Sequence, residues 1–121
     1  HQVWVVCAAL EAPLPVGADA LAFSKGACQF AYLISSQHGR HFQRPVWALH
    51  AFPGWKPAPH PQRTPEMAAA QSLLGALAVR NNGRIPKAAA VHSRLWPQAY
   101  AHRPAGQPYF YNRHIGLCGD W

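Results

Sequence analysis

The chain has 121 residues, half of them apolar, which is the length and composition of one globular domain and not of a disordered chain. Eleven Lys and Arg stand against four acids, Glu11, Asp19, Glu66 and Asp120, for a net charge of +7. The four acids show no paired arrangement of the kind glycoside hydrolysis uses, and no apolar run reaches the length of a membrane-spanning helix.

Residues Val3 to Leu14, VWVVCAALEAPL, are rich in β-branched and aromatic side chains and stop at Pro13 and Pro15, so they read as a strand. Ala20 to Gly26 is a short strand or turn entry. Cys28 to Ser36 alternates Phe30, Tyr32 and Ile34 with Gln29, Ala31 and Leu33, the pattern of a strand covered on both faces. A polar loop follows, then a third strand over Pro45 to Phe52. Residues 53–65 hold five prolines and can be neither helix interior nor central strand.

One helix is predicted, over about residues 65–81. Thr64 is placed to cap it, Pro65 suits its first turn, and Glu66 sits at the positive end of its dipole. Met67, Ala70, Leu74 and Leu77 fall at helical spacing and predict its buried face. Asn82-Gly83 ends it, because both residues tolerate a left-handed backbone. Lys87 to Tyr100 reads as a strand with Pro97 near its end, RPAGQPYFYN as a loop, and HIGLCGD as the last strand. Strands, one helix and strands again, without βαβ alternation, predict an α+β fold. Its sheet is largely antiparallel or mixed, with one main covering helix.

Few constellations carry chemistry. Cys7, Cys28 and Cys118 lie far apart with no CxxC, which predicts buried thiols and a reducing, cytoplasmic compartment. No secretory leader is expected either. Of eight histidines, His38 and His41 are closest but have no Cys or acid beside them. His50, His92 and His114 are isolated in strands and read as structural, so no metal site is expected. No GxSxG and no GxGxxG is present. The basic residues are dispersed, which predicts a solvated positive surface.

One ordered set of motifs remains. VWALHA (Val46 to Ala51) precedes the alanine-rich helix with SLLGALA (Ser72 to Ala78), then Leu95-Trp96 ends a strand, and GLCGDW (Gly116 to Trp121) follows. Together with VWVVCAALEAPLP and FAYLISSQHGR, this order resembles the C-terminal, substrate-domain portion of renalase-like, FAD-dependent amine-oxidase-type oxidoreductases. The resemblance covers nearly the whole chain. Its most specific element is GLCGDW with its spacing to Trp96. The family's Tyr-Ala after the matching tryptophan is replaced here by Pro97-Gln98-Ala99-Tyr100.

The resemblance implies that Gly119, Asp120 and Trp121 bind the cofactor, with Asp120 accepting from the ribityl-phosphate part of FAD. A glycine before the acid lets the backbone approach closely. It implies that Trp96 walls the substrate pocket, and it assigns no catalytic residue. The family's dinucleotide-binding segment has no counterpart in residues 1–121. The chain is therefore expected to be a single, partial substrate domain that neither holds FAD tightly nor turns over substrate alone. Its expected partner is the missing FAD-binding domain, or itself by self-association. The alternative is a non-catalytic basic module for an anionic partner such as nucleic acid.

Overall fold

The computed structural model describes residues 1–34 and 43–99, together with the backbone of residues 109–111 and 116–118. Seven strands and one helix follow in chain order. They are β1 (Val3–Leu10), β2 (Ala20–Ala22), β3 (Cys28–Leu33), β4 (Val46–Ala51), α1 (Pro65–Arg80), β5 (Ala88–Trp96), β6 (Tyr109–Tyr111) and β7 (Gly116–Cys118). The first five strands form one sheet in the order β2-β3-β4-β1-β5, and every pairing is antiparallel. The fold is α+β, with one helix covering an antiparallel sheet.

β1 is the central organiser, paired over most of its length with β4 on one side and β5 on the other. Its side chains alternate across the sheet as a strand requires. Trp4, Val6, Ala8 and Leu10 enter the main core together with Trp47, Leu49 and Ala51 of β4 and Ala31 of β3. Val5, Cys7 and Ala9 point to the far face and are half-buried. β1 ends at Leu10 rather than Leu14. Leu10 and Glu11 donate to the carbonyls of Pro45 and Lys87, but Pro13 and Pro15 have no N–H to extend the ladder.

β3 contains a register shift between Cys28 and Phe30, with Gln29 as the extra residue. Such a bulge changes which face the next side chain takes. Cys28 therefore lies in the core opposite Ala51, while Phe30 and Tyr32 share the far face with His50. A left-handed Gly26, at φ 96°, turns the chain from β2 into β3.

α1 begins as the sequence dictates. The Thr64 side chain accepts from the Met67 N–H at 3.3 Å, Pro65 occupies the first turn, and Glu66 follows. Its exit is also as expected, with Asn82 at φ 56° and Gly83 at φ 80°, where the Gly83 N–H reaches the Ala78 carbonyl at 2.7 Å. The buried line keeps Leu77 of the predicted one and otherwise differs from it. Ala69, Leu73 and Leu77, four residues apart, are fully buried, whereas Met67 is 56% exposed and Ala70 and Leu74 pack only at the margin. The i, i+4 line through the two leucines meets the sheet, and Met67 in the first turn lies off it.

Two more expectations are corrected at the C-terminal side. β5 stops at Trp96, before Pro97. Tyr109–Tyr111, inside the predicted loop, is a strand, as three successive aromatics favour. It pairs in a separate two-stranded sheet with β7, which lies within the predicted last strand, whose remaining residues fall outside the described ones. Leu73→Ala is expected to cost about 2–5 kcal/mol in urea unfolding, and Met67→Ala less than about 0.5 kcal/mol. Equal costs would contradict the observed helix face.

Candidate functional site

The face of the sheet turned away from α1 brings the chemically useful side chains together. The ladder sets them in rows. Phe30 of β3 faces His50 of β4, His50 faces Val5 of β1, and Val5 faces Arg94 of β5. In the next row Tyr32 faces Ala48, Ala48 faces Cys7, and Cys7 faces His92. Trp96 lies opposite Val3 at the end of the β1–β5 ladder.

Aromatic rings dominate the β3–β4 side. Phe30 and His50 stack with centroids 4.3 Å apart and planes 17° apart. Tyr32 lies 5.6 Å from the same imidazole, at 28°. These spacings lie in the range of favourable ring pairs. Residues i and i+2 of a strand share a face, so Phe30 and Tyr32 flank whatever β4 sets opposite them. Ala48 beside His50 is small and fully buried, which leaves the larger rings room to lean together.

His50 is half-buried, and desolvation holds its imidazole below the ordinary histidine pKa. Its Nε2 is buried and has no hydrogen-bond partner among the described residues. A neutral imidazole carries one donor and one acceptor, so Nε2 is left with unused hydrogen-bonding capacity inside the ring cluster. The β5 side of the face is different in kind. His92, Arg94 and Trp96 are exposed, and Arg94, Trp96, Pro97 and Gln98 line a shallow depression of about 280 Å³.

Burial disfavours the thiolate at both cysteines whose side chains are described. Cys28 is fully buried, donates to the Phe30 carbonyl at 3.4 Å, and is pushed up to about 11 by burial. Burial also raises Cys7. Among the described residues no group of three His, Cys, Asp or Glu could hold a metal ion, and no helix is long and apolar enough to cross a membrane.

Of the predicted site residues, Trp96 is 52% exposed on the far-face side of β5, and Gly119, Asp120 and Trp121 lie outside the described residues. His38, His41 and His114 also lie outside them. The ring cluster was not anticipated, because His50 reads as isolated in the sequence. The Phe30–Tyr32 spacing signals a shared face, but only the β3–β4 register places His50 between them.

No known family matches the chain, and no curated protein matches it.

Set against a flavin, the far face offers half-buried aromatic rings stacked on each other. The pyrophosphate has no cradle there. α1 is entered through Pro57, Pro59 and Pro61, Thr64 already caps it, and Pro65 lacks an N–H to offer.

Two measurements probe this face. The folded chain resists protonation of His50, so the unfolded chain binds that proton at higher pH. Stability is therefore complete above the ordinary imidazole range and falls as pH drops below about 6.5. His50→Gln is expected to flatten part of that fall in a melting series from about pH 8 to about pH 5. Iodoacetamide at neutral pH is expected to leave Cys28 unmodified until the chain is unfolded, as peptide mapping would record. Rapid labelling of Cys28 in the native chain would contradict its burial.

Proposed function

We propose that this chain is the substrate-domain portion of a renalase-like, FAD-dependent oxidoreductase of the amine-oxidase type, acting in the cytoplasm. The observation that carries the proposal is the division of the sheet. One face is closed by α1, and the other sets Phe30, His50 and Tyr32 in a half-buried stack between Cys7 and the sheet edge. The ordered motifs from VWALHA to GLCGDW add a second, independent line of support.

In this reading the far face walls the substrate pocket against the flavin ring, with Trp96 at its margin. Asp120, between Gly119 and Trp121, anchors the cofactor through the ribityl-phosphate part. The flavin supplies the redox chemistry, taking a hydride from an amine or a reduced nicotinamide-type substrate and passing electrons to oxygen. The chain's own contribution is to shape the pocket, exclude water and keep His50 neutral beside the ring. The FAD-binding domain is the partner that covers the far face, and without it the chain is inactive. A basic module for nucleic acid gains less support. Lys25, Arg44 and Arg84 come from three separate loops and Lys56 and Arg63 from a fourth, and Phe30 and Tyr32 of the far face are half-buried and stacked on each other.

The reading frame upstream of His1 is expected to encode a strand, a GxGxxG turn and a helix. The protein expressed from that whole frame is expected to purify yellow. Asp120→Ala in it should lower FAD affinity by roughly tenfold to a hundredfold, the loss of one charge-assisted hydrogen bond. A frame without the glycine-rich unit, or a stoichiometric flavin on residues 1–121 alone, would overturn the proposal.

A further inference from the structure

We infer that the outer edge of β5 is a docking edge for an extended acidic polypeptide segment, which adds to the sheet as a sixth strand. The two edges of the sheet are unlike. β2 is three residues long, too short to template another chain. β5 runs nine residues and, among the described residues, pairs with β1 alone. Ala89, Ala90, Val91, His92, Arg94 and Trp96 are all exposed. Its only irregularity is at Ala89, so the ladder from Ala90 to Trp96 is regular. That stretch contains no lysine, proline or bulge, the usual protections of a strand edge.

Charge selects the occupant. No Asp or Glu occurs from residue 67 to residue 119, a stretch that holds Arg80, Arg84, Lys87, Arg94, Arg103 and Arg113. The residues facing Arg94 and His92 across the ladder are Val5 and Cys7, neither of them acidic. A second copy fits poorly. Antiparallel pairing of two β5 strands over Ala90 to Trp96 would set Arg94 against His92 of the other copy, between chains of +7 each. An acidic strand meets no such opposition.

Strand alternation then fixes the pattern of the partner. His92 and Arg94 share one face of β5, and Val91 and Leu95 the other. The fitting segment alternates carboxylates, opposite the Arg94 guanidinium and the His92 ring, with apolar side chains opposite Val91 and Leu95. Its backbone supplies the hydrogen bonds and its carboxylates the specificity. The added strand would bond to the backbone edge of β5, whereas the flavin proposal uses the Phe30, His50 and Tyr32 rings, so the peptide test can fail without the flavin proposal failing.

The test is fluorescence anisotropy of the 121-residue chain with a labelled, end-blocked peptide of alternating Glu and Val, about twelve residues long. An alternating Lys and Val peptide is the control. The acidic peptide is expected to bind saturably and the basic one not at all, with affinity falling about tenfold or more between low and high salt. Arg94→Glu, at an exposed position, is expected to leave the melting temperature unchanged and to weaken the acidic peptide about tenfold or more. N-methylation of alternate peptide amides is expected to abolish binding. The inference is overturned by no binding of the acidic peptide, or by binding that survives N-methylation or Arg94→Glu. It is equally overturned by a sedimentation equilibrium dimer that Val91→Lys dissolves, which would mean a second copy occupies the edge.

Discussion

Everything in this molecule is referred to β1. It pairs on both sides, and its alternation assigns each neighbouring residue to one of two faces. Trp4, Val6, Ala8 and Leu10 commit one face to α1, where Ala69, Leu73 and Leu77 close against them. Burying such side chains is worth about 1.5–3 kcal/mol each, so this face is where the stability lies. The opposite face is then defined by what β1 sends away from the helix.

That division has electrostatic content. On the far face, polarity changes from β3 to β5 across a few strand spacings. Stacked, half-buried rings with a neutral imidazole occupy one side, and exposed His92 and Arg94 the other. A ligand lying across these strands would meet an apolar, poorly hydrated wall first and the polar side chains of β5, Arg94 among them, last. The proposed flavin and substrate arrangement uses the wall, and the proposed acidic strand uses Arg94 at the sheet edge. The two sites therefore draw on different physics and can be disturbed separately.

Much of the fold is legible in the sequence, because local signals and tertiary packing agree. The Thr64-Pro65-Glu66 start and Asn82-Gly83 exit of α1, the strand cores, and the lack of a helix or named strand in residues 53–64 all follow from backbone chemistry. The helix face was less legible, because α1 is alanine-rich and several stripes satisfy a helical period. Only packing against the sheet selects Leu73 over Met67. Tyr109–Tyr111 was hidden by the prolines and glycine before it, which signal a loop more strongly than three aromatics signal a strand. The site was least legible. Trp96 was singled out from the motif, but the Phe30–His50–Tyr32 cluster depends on a register between strands separated by a loop, which no local pattern encodes.

The register shift at Gln29 has an evolutionary reading. One surplus residue reverses the phase of β3, keeping Cys28 inside while Phe30 and Tyr32 stand outside. Length changes at this point are therefore far less forgiving than exchanges of side chain. Losing a single codon there would carry Cys28 out of the interior or turn the two rings into it, whereas most point changes leave both populations in place. Lineages of this sequence should drift in composition along β3 while holding the interval between Gly26 and Phe30 constant.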